Sequence, residues 1–187
     1  NLAFAEMKLN HLAKGAEYFQ NFVDHFKQHK RYWEGVRNLA EIYQELNLID
    51  KAIYYYEILS ENHPDDVILR ELRDLYTSTK DFENAIKIST RIQERTNDDR
   101  RTLAEIYLQK ADKSLAILQY EKVVENESDF DKKLHDIKKL ADINYELADY
   151  SKAVENYTKL VDLTSTNKNR FEEISYLNWK EIGENLI

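Results

Sequence analysis

The sequence predicts an all-α chain built from repeated pairs of antiparallel helices. Two observations lead to this prediction: apolar residues at helical spacing recur every 31 to 37 residues, and residues that break helices are rare. The 187 residues include three Gly and one Pro, so few tight turns are expected and most of the chain must lie in regular structure. With 33% charged and 42% hydrophobic residues, that structure is expected to be helical and to enclose a core.

The repeat is clearest in two stretches that share a Leu-Ala-Glu-Ile-Tyr core. Residues 37–57 read RNLAEIYQELNLIDKAIYYYE, and residues 101–121 read RTLAEIYLQKADKSLAILQYE. In both stretches the Tyr precedes a second Ala by nine residues, and further large residues follow that Ala after four and seven residues. This is the spacing of one helical face. Four copies share the register, with anchors at Ala52, Ala85, Ala116 and Ala153.

Each copy therefore predicts a helix A, which carries the Leu and Tyr, followed by a helix B, which carries the Ala. The predicted pairs are 33–45 with 50–62, 67–78 with 82–94, 99–110 with 113–126, and 134–147 with 150–164. The second copy departs from the pattern, with Arg73 at a small position and Ser89 at an aromatic one, so it is expected to pack most loosely. The run ENESDFDKKLHDI, residues 125–137, predicts an extended loop or a longer helix end.

The pattern resembles the tetratricopeptide repeat, a helix-turn-helix unit of about 34 residues. Within residues 33–66 the matching positions are Leu39, Ala40, Tyr43, Ala52, Tyr56 and Pro64. Near the C-terminus the opening half of the motif recurs at Trp179, Ile182, Gly183 and Leu186. The resemblance implies an α-solenoid of stacked antiparallel helix pairs, with about five repeats of which the terminal ones are partial or degenerate.

The expected organisation is a single array over residues 1–187. Its approximate units are 1–32, 33–66, 67–98, 99–133 and 134–167, and residues 168–187 are expected to form a terminal or capping helix. Small residues such as Ala40 and Ala116 would let the paired helices approach closely, and Tyr56 would fill the space around the crossing.

Composition argues against several classes of function. A net charge of −8 opposes binding to nucleic acid, and no apolar run is long enough to span a membrane. Cys is absent, and neither a phosphate-binding loop nor a zinc-protease motif occurs, so an enzyme, a cofactor and a metal site are not expected. His25 and His29 would share a helix face, but two surface histidines are a weaker basis for a metal site than three or four ligands. The compartment stays open, with the cytoplasm slightly favoured, because any targeting signal would lie outside these residues.

One charge pattern accompanies the repeat, and we call it the charge ladder. A base lies two residues before each helix-A Leu, or before Ile182, and an acid follows each base by four residues. The bases are Arg37, Arg70, Arg101, Lys138 and Lys180, and the acids are Glu41, Asp74, Glu105, Asp142 and Glu184. The resemblance implies that these positions line a concave groove. Two explanations stay open: each base pairs with an acid of a neighbouring repeat, or the ladder contacts a ligand.

The function expected is a non-enzymatic protein–protein interaction module that binds a segment of a partner protein along its concave face. Alternatives are a self-assembling scaffold or secretion-type chaperone, and a regulatory arm of a larger enzyme or peptide-sensing regulator whose chemistry lies elsewhere. Some members of the family clamp a peptide's terminal carboxylate between bases, but Glu41, Asp74 and Glu105 place negative charge beside Arg37 and Arg70 here, which argues against that mode.

Overall fold

The computed structural model describes residues 2–165, and all regular structure in that range is α-helical. The helices are α1 Leu2–Lys8, α2 Leu12–His25, α3 Tyr32–Glu45, α4 Ile49–Asn62, α5 Asp66–Ser78, α6 Phe82–Arg91, α7 Asn97–Gln109, α8 Lys113–Asn126, α9 Phe130–Glu146 and α10 Tyr150–Ser165. They form antiparallel pairs in which α3, α5, α7 and α9 are the A helices and α4, α6, α8 and α10 the B helices. The predicted fold of stacked antiparallel helix pairs is confirmed.

The chain divides into two compact units with their boundary between Glu94 and Arg95. The first unit contains α1 to α6, and the described part of the second contains α7 to α10. Within each unit, every helix packs against the next one along the chain. The single array over residues 1–187 and its repeat limits stay predictions, and the proposed terminal helix at 168–187 lies outside the described residues.

Helix limits differ from the predicted ones by more than two residues in two places. Helix α6 ends at Arg91 instead of residue 94, because Ile92 adopts extended backbone with ψ 121°. Helix α9 begins at Phe130 instead of residue 134, so part of the run 125–137 forms a longer helix end. Asp129 caps this helix, since its carboxylate accepts a hydrogen bond of 3.0 Å from the backbone N–H of Lys132.

The repeated apolar positions form the core of each unit. The anchors Ala52, Ala85 and Ala116 are fully buried, and Ala153 is 2% exposed. The helix-A Leu residues and the helix-B aromatic residues are also buried; they are Leu39, Leu72, Leu103, Leu140, Tyr56, Tyr120 and Tyr157. A methyl side chain at each anchor leaves room for the partner helix, so the sequence period predicted the core correctly.

The second copy accommodates its two departures through hydrogen bonds. The stem of Arg73 is buried while its Nε donates to Asp74 Oδ1 over 2.7 Å. Ser89 is also buried, and its hydroxyl donates to the carbonyl of Ala85 over 2.8 Å. Both polar groups are therefore compatible with burial. The looser packing expected for the helix pair α5 and α6 stays a prediction.

The turns between paired helices are tight, although the scarcity of Gly predicted few tight turns. A single left-handed residue lies in the turn of each pair in the described chain, with φ between 56° and 63°: Asn10, Asn47, Lys80, Ala111 and Ala148. The N–H of the residue that follows bonds to a carbonyl five residues back, for example from Asp112 to Tyr107 over 2.8 Å. This is the Schellman C-cap, formed here without glycine.

The residue that closes the turn also starts helix B in three of these pairs. The side chains of Asp81, Asp112 and Asp149 each accept a hydrogen bond from a backbone N–H three residues on, at 3.2 Å. One aspartate thus contributes its N–H to the end of helix A and its carboxylate to the start of helix B. This double use allows a connection of very few residues.

Candidate functional site: the helix-A faces

Arg101 lies at the centre of an ion network in the second unit. Its Nε and Nη2 donate to the two carboxylate oxygens of Asp136, at 3.0 and 2.7 Å, and Asp136 is fully buried. Nη1 donates to Asp98 over 2.6 Å, and Nη2 also contacts Glu127. The hydrogen bond from Arg101 is the main cause that lowers the pKa of Glu127 to about 2. Arg101 therefore joins α7 to α9 and to the loop before α9.

Among the described residues of the second unit, the ladder acids Glu105 and Asp142 accept hydrogen bonds from the helix-B tyrosine of the same pair. Tyr120 Oη donates to Glu105 Oε1 over 2.5 Å, and Tyr157 Oη donates to Asp142 Oδ1 over 2.7 Å. Burial, followed by the bond to Glu105, raises the pKa of Tyr120. These contacts hold each A helix against its B helix.

Lysines of α9 complete this network. Lys139 Nζ lies 3.3 Å from Glu105 Oε1 of α7, while Lys138 Nζ lies 3.0 Å from Asp142 Oδ2 on the same helix. The ladder base Lys138 therefore pairs directly with Asp142, the ladder acid that follows it by four residues on the same helix. In the described part of the second unit, Arg101, Glu105, Lys138 and Asp142 all have partners within the protein.

The ladder bases of the first unit also have partners. Arg37 donates to Asp65, the residue that caps α5 by accepting from the N–H of Ile68 at 2.8 Å. Arg70 Nη2 donates to the backbone carbonyl of Glu94 over 3.0 Å. Both bases thus have acceptors within the protein, but Asp65 lies in the same predicted unit as Arg37, and the acceptor of Arg70 is a backbone carbonyl. Pairing of each base with an acid of a neighbouring repeat therefore stays a prediction.

Glu41 is in a different situation, in an open cleft of about 310 Å³ that we call the α3–α5 cleft. Its lining residues are Arg37, Glu41, Gln44 and Glu45 of α3, Tyr56 of α4, and Val67, Ile68 and Glu71 of α5. Partial burial is the main cause that raises the pKa of Glu41; Arg37 opposes it, and Glu71 and Glu45 reinforce it. Three carboxylates thus share the cleft with one arginine, which is itself bound to Asp65.

Sequence reasoning singled out Arg37 and Glu41 of this cleft but missed its α5 side. Gln44 Nε2 donates to Glu71 Oε2 over 3.1 Å, which orients the Glu71 carboxylate. Val67, which is 56% exposed, lines the cleft beside the buried Ile68. The residues that directly follow the five ladder bases are Asn38, Glu71, Thr102, Lys139 and Glu181, so a comparison of them would have flagged Glu71 and Glu181 as acids. The predicted Lys180 and Glu184 lie outside the described residues.

A second cavity, of about 570 Å³, lies between α1, α2 and the start of α3. Phe4, Phe19 and Phe22 line it, and Arg31 at its rim lies 5.2 Å from the centre of the Phe4 ring. Arg31 also pairs with Glu34, donating from Nε over 2.6 Å. This cavity is more apolar than the α3–α5 cleft, and its charged residues neutralise one another.

The histidines do not share a helix face as the sequence suggested, because α2 ends at His25. Nδ1 of His25 lies 2.9 Å from the carbonyl of Asn21, while Nδ1 of His29 accepts from the backbone N–H of Arg31 over 3.1 Å. Across residues 2–165, no three His, Cys, Asp or Glu side chains are grouped to hold a metal ion. In the same range, no helix combines the length and apolar character needed to cross a membrane.

Comparison with known proteins agrees with the repeat geometry. A family model described as the tetratricopeptide repeat matches residues 38–66, which include most of α3 and all of α4. No curated protein matches the sequence significantly.

Solved structures with similar folds include three repeat proteins. MamA (41-end) from Desulfovibrio magneticus RS-1 is 14% identical with a TM-score of 0.63, over 89% of this chain and 93% of that one. A tetratricopeptide repeat protein from Parabacteroides merdae ATCC 43184 is 14% identical with a TM-score of 0.61, over 86% and 76%. A putative kinesin light chain from Podosopora anserina, with nearly identical TPR-like repeats, is 15% identical with a TM-score of 0.57, over 90% and 93%.

At these identities the likeness concerns the fold alone. Solenoids of this fold serve in general as protein–protein interaction modules and are typically non-enzymatic scaffolds. The resemblance noted in the sequence is confirmed: the chain carries a tetratricopeptide repeat at residues 38–66, and its helix pairs have the fold of tetratricopeptide-repeat proteins.

Proposed function

We propose that this chain is a non-enzymatic interaction module that binds an extended segment of a partner protein at the α3–α5 cleft, on the helix-A side of the first unit. The family resemblance assigns helix-A residues to the concave, ligand-binding side of such proteins. The observation that carries the proposal is a contrast between ladder acids. Glu41 lines an open cleft together with Glu45 and Glu71, whereas Glu105 and Asp142 accept hydrogen bonds from Tyr120 and Tyr157.

The composition of the cleft suits a peptide more than a compact small molecule. Val67 offers exposed apolar surface, while Gln44 and Glu71 offer polar groups at the rim. A protein segment supplies both kinds of contact at once, because its side chains alternate with backbone amide groups. Interfaces of this kind have an apolar centre and a polar rim.

The residues of the charge ladder have different roles in the two units under this proposal. Glu41 and Arg37 lie in the cleft, and Arg70 and Asp74 follow on the same helix-A side of the first unit. For Arg101, Glu105, Lys138 and Asp142 the internal contacts favour a structural role. We therefore expect substitutions in the first unit to affect partner binding and those in the second to affect stability.

The test is selection from a random peptide display library on the intact chain, followed by affinity measurement for the selected peptides. Val67→Asp places a charge on the exposed apolar lining of the cleft and should weaken binding by about tenfold or more. Val154→Asp, at a residue 47% exposed on α10, is the matched control and should leave affinity unchanged. Failure to select any peptide, or equal affinity for both variants, would contradict binding at this cleft.

A further inference from the structure

The α3–α5 cleft has a counterpart in the second unit, where α7 lies against α9. The shared register makes Glu41 equivalent to Glu105, since each follows a ladder base by four residues. Glu71 is equivalent to Lys139, since each directly follows the ladder base of the next A helix. Tyr56 and Tyr120 are likewise equivalent, four residues after their anchor Ala.

In the second unit, the position equivalent to Glu71 is occupied by a cation, Lys139. Lys139 Nζ lies 3.3 Å from Glu105 Oε1, and the same oxygen accepts the hydroxyl of Tyr120 over 2.5 Å. Two donors, one of them positively charged, therefore satisfy the carboxylate. The second unit thus shows that a cation is suited to the position beside this carboxylate, between the two A helices.

In the first unit the position equivalent to Lys139 is occupied by an acid. Two carboxylates therefore stand where the second unit has a carboxylate and a cation. Glu71 stands where Lys139 stands in the other pair, and Glu41 and Glu71 line one cleft together with Glu45. Arg37, the arginine of that cleft, is bound to Asp65. The pKa of the Tyr56 hydroxyl is raised by burial first and then by the charges of Glu71 and Glu41, which places both carboxylates near it.

We propose that the α3–α5 cleft accepts a lysine or arginine side chain of the partner segment, whose cation lies between Glu41 and Glu71 as Lys139 lies beside Glu105. The inference rests on the proposed function and specifies the chemistry of the partner. The positive charge of this lysine or arginine would be matched by the carboxylates of Glu41 and Glu71, which repel one another in its absence.

The apolar part of the cleft favours a long side chain over a free inorganic cation. The aliphatic stem of lysine or arginine can lie along the exposed Val67 while its charged end reaches the carboxylates of Glu41 and Glu71. Hard metal ions prefer six or more oxygen ligands, and the described residues contain no cluster arranged to hold one.

The probe is a short capped peptide with one central lysine flanked by valines, compared with the same peptide carrying glutamine. Titration followed by NMR should show the lysine peptide shifting the side-chain signals of Glu41 and Glu71, with about tenfold weaker binding of the glutamine peptide. Glu71→Lys supplies the missing cation within the chain and should abolish binding of the lysine peptide. Glu61→Lys, an exposed change on α4 with the same effect on net charge, should preserve it.

A second measurement does not depend on the peptide. If Glu71 occupies the place of Lys139, Glu71→Lys should raise the thermal unfolding midpoint relative to Glu61→Lys, because Glu41 then gains an internal partner. A midpoint that falls below that of Glu61→Lys would contradict the equivalence of the two positions.

The outcomes separate this inference from the proposed function. Library peptides that bind the cleft without a basic residue would overturn the inference and leave the interaction module intact. Equal binding of the lysine and glutamine peptides, or undiminished binding to Glu71→Lys, would overturn it as well. Failure of the library selection itself would instead count against the proposed function.

Discussion

Arg101 of α7 holds the fully buried carboxylate of Asp136 in α9 through three hydrogen bonds: Nε donates to both oxygens, at 3.0 and 3.1 Å, and Nη2 donates to Oδ2 at 2.7 Å. Replacing Arg101 with Ala would leave Asp136 as a buried charge without its main counterion. We expect the free energy of unfolding to fall by about 3–5 kcal/mol, as measured by urea denaturation.

Arg100 provides the control on the same helix. Within the described residues the Arg100 side chain makes no ion pair, so Arg100→Ala should change stability by no more than about 0.5 kcal/mol. Equal losses for the two variants would show that the Arg101 network contributes nothing specific.

The lowered pKa of Glu127 predicts that the folded protein loses stability in acid. Its pKa, lowered to about 2 chiefly by Arg101, lies below that of an unfolded glutamate, at about 4.3. A depressed pKa means that the carboxylate stabilises the folded state fully above about pH 4.5 and loses this effect as the pH falls towards 2. The difference in unfolding free energy between the wild type and Glu127→Gln should therefore shrink across that window.

Glu125→Gln, an exposed change on α8, is the matched comparison for Glu127→Gln. Its stability difference from the wild type should stay nearly constant over the same pH range. A constant difference for Glu127→Gln as well would contradict the link between this carboxylate and Arg101.

The left-handed alanines predict a gain in stability. Ala111 and Ala148 have φ of 63° and 58° and are exposed, so glycine would relieve backbone strain without removing packing. The strain is about 1–2 kcal/mol and the extra entropy of an unfolded glycine about 0.4–1 kcal/mol, so each change to Gly should stabilise by about 0.5–1 kcal/mol.

The same substitution at an ordinary helical position should have the opposite sign. Ala13 is exposed in the first turn of α2, and Ala13→Gly should destabilise by up to about 0.5 kcal/mol, less than at the middle of a helix. Denaturant midpoints for the three variants decide the matter, and a loss of stability at Ala111 would refute the strain argument.

Two helical glycines predict contrasting responses to a single added methyl group. A Cβ at Gly35 would lie 2.7 Å from Cδ1 and 2.8 Å from Cε1 of the Phe22 ring, whereas one at Gly15 would meet Ile42 Cδ1 at 3.4 Å. Gly35→Ala should therefore overpack the contact between α2 and α3 and destabilise by about 1–3 kcal/mol. Gly15→Ala fits an ordinary contact and should stabilise by about 0.5–1 kcal/mol through reduced backbone entropy.

Thermal unfolding of both variants measures this difference, and each serves as the control for the other. If Gly35→Ala is as stable as Gly15→Ala, the Phe22 ring moves aside at little energetic expense.

The candidate site shows where sequence reasoning stopped. The spacing in the sequence placed Glu41 and Glu105 at equivalent positions, but it did not reveal that Glu105 has Tyr120 and Lys139 as partners while Glu41 shares a cleft with Glu71. The residues in each such contact lie on different helices, 34 residues apart for Lys139 and Glu105. A helical period reports which residues share a face of one helix, and it does not report what lies opposite that face.

The sequence by itself determined the helix pairs, their repeat and their buried positions, because the period of 3.6 residues and small anchors such as Ala52 and Ala116 leave few other ways to bury the apolar face. Only the tertiary structure decided the partners of the ladder charges and the left-handed turns at Ala111 and Ala148. A charged side chain pairs with whatever the packed neighbouring helix presents within about 4 Å, and a turn takes the backbone angles that two docked helices impose.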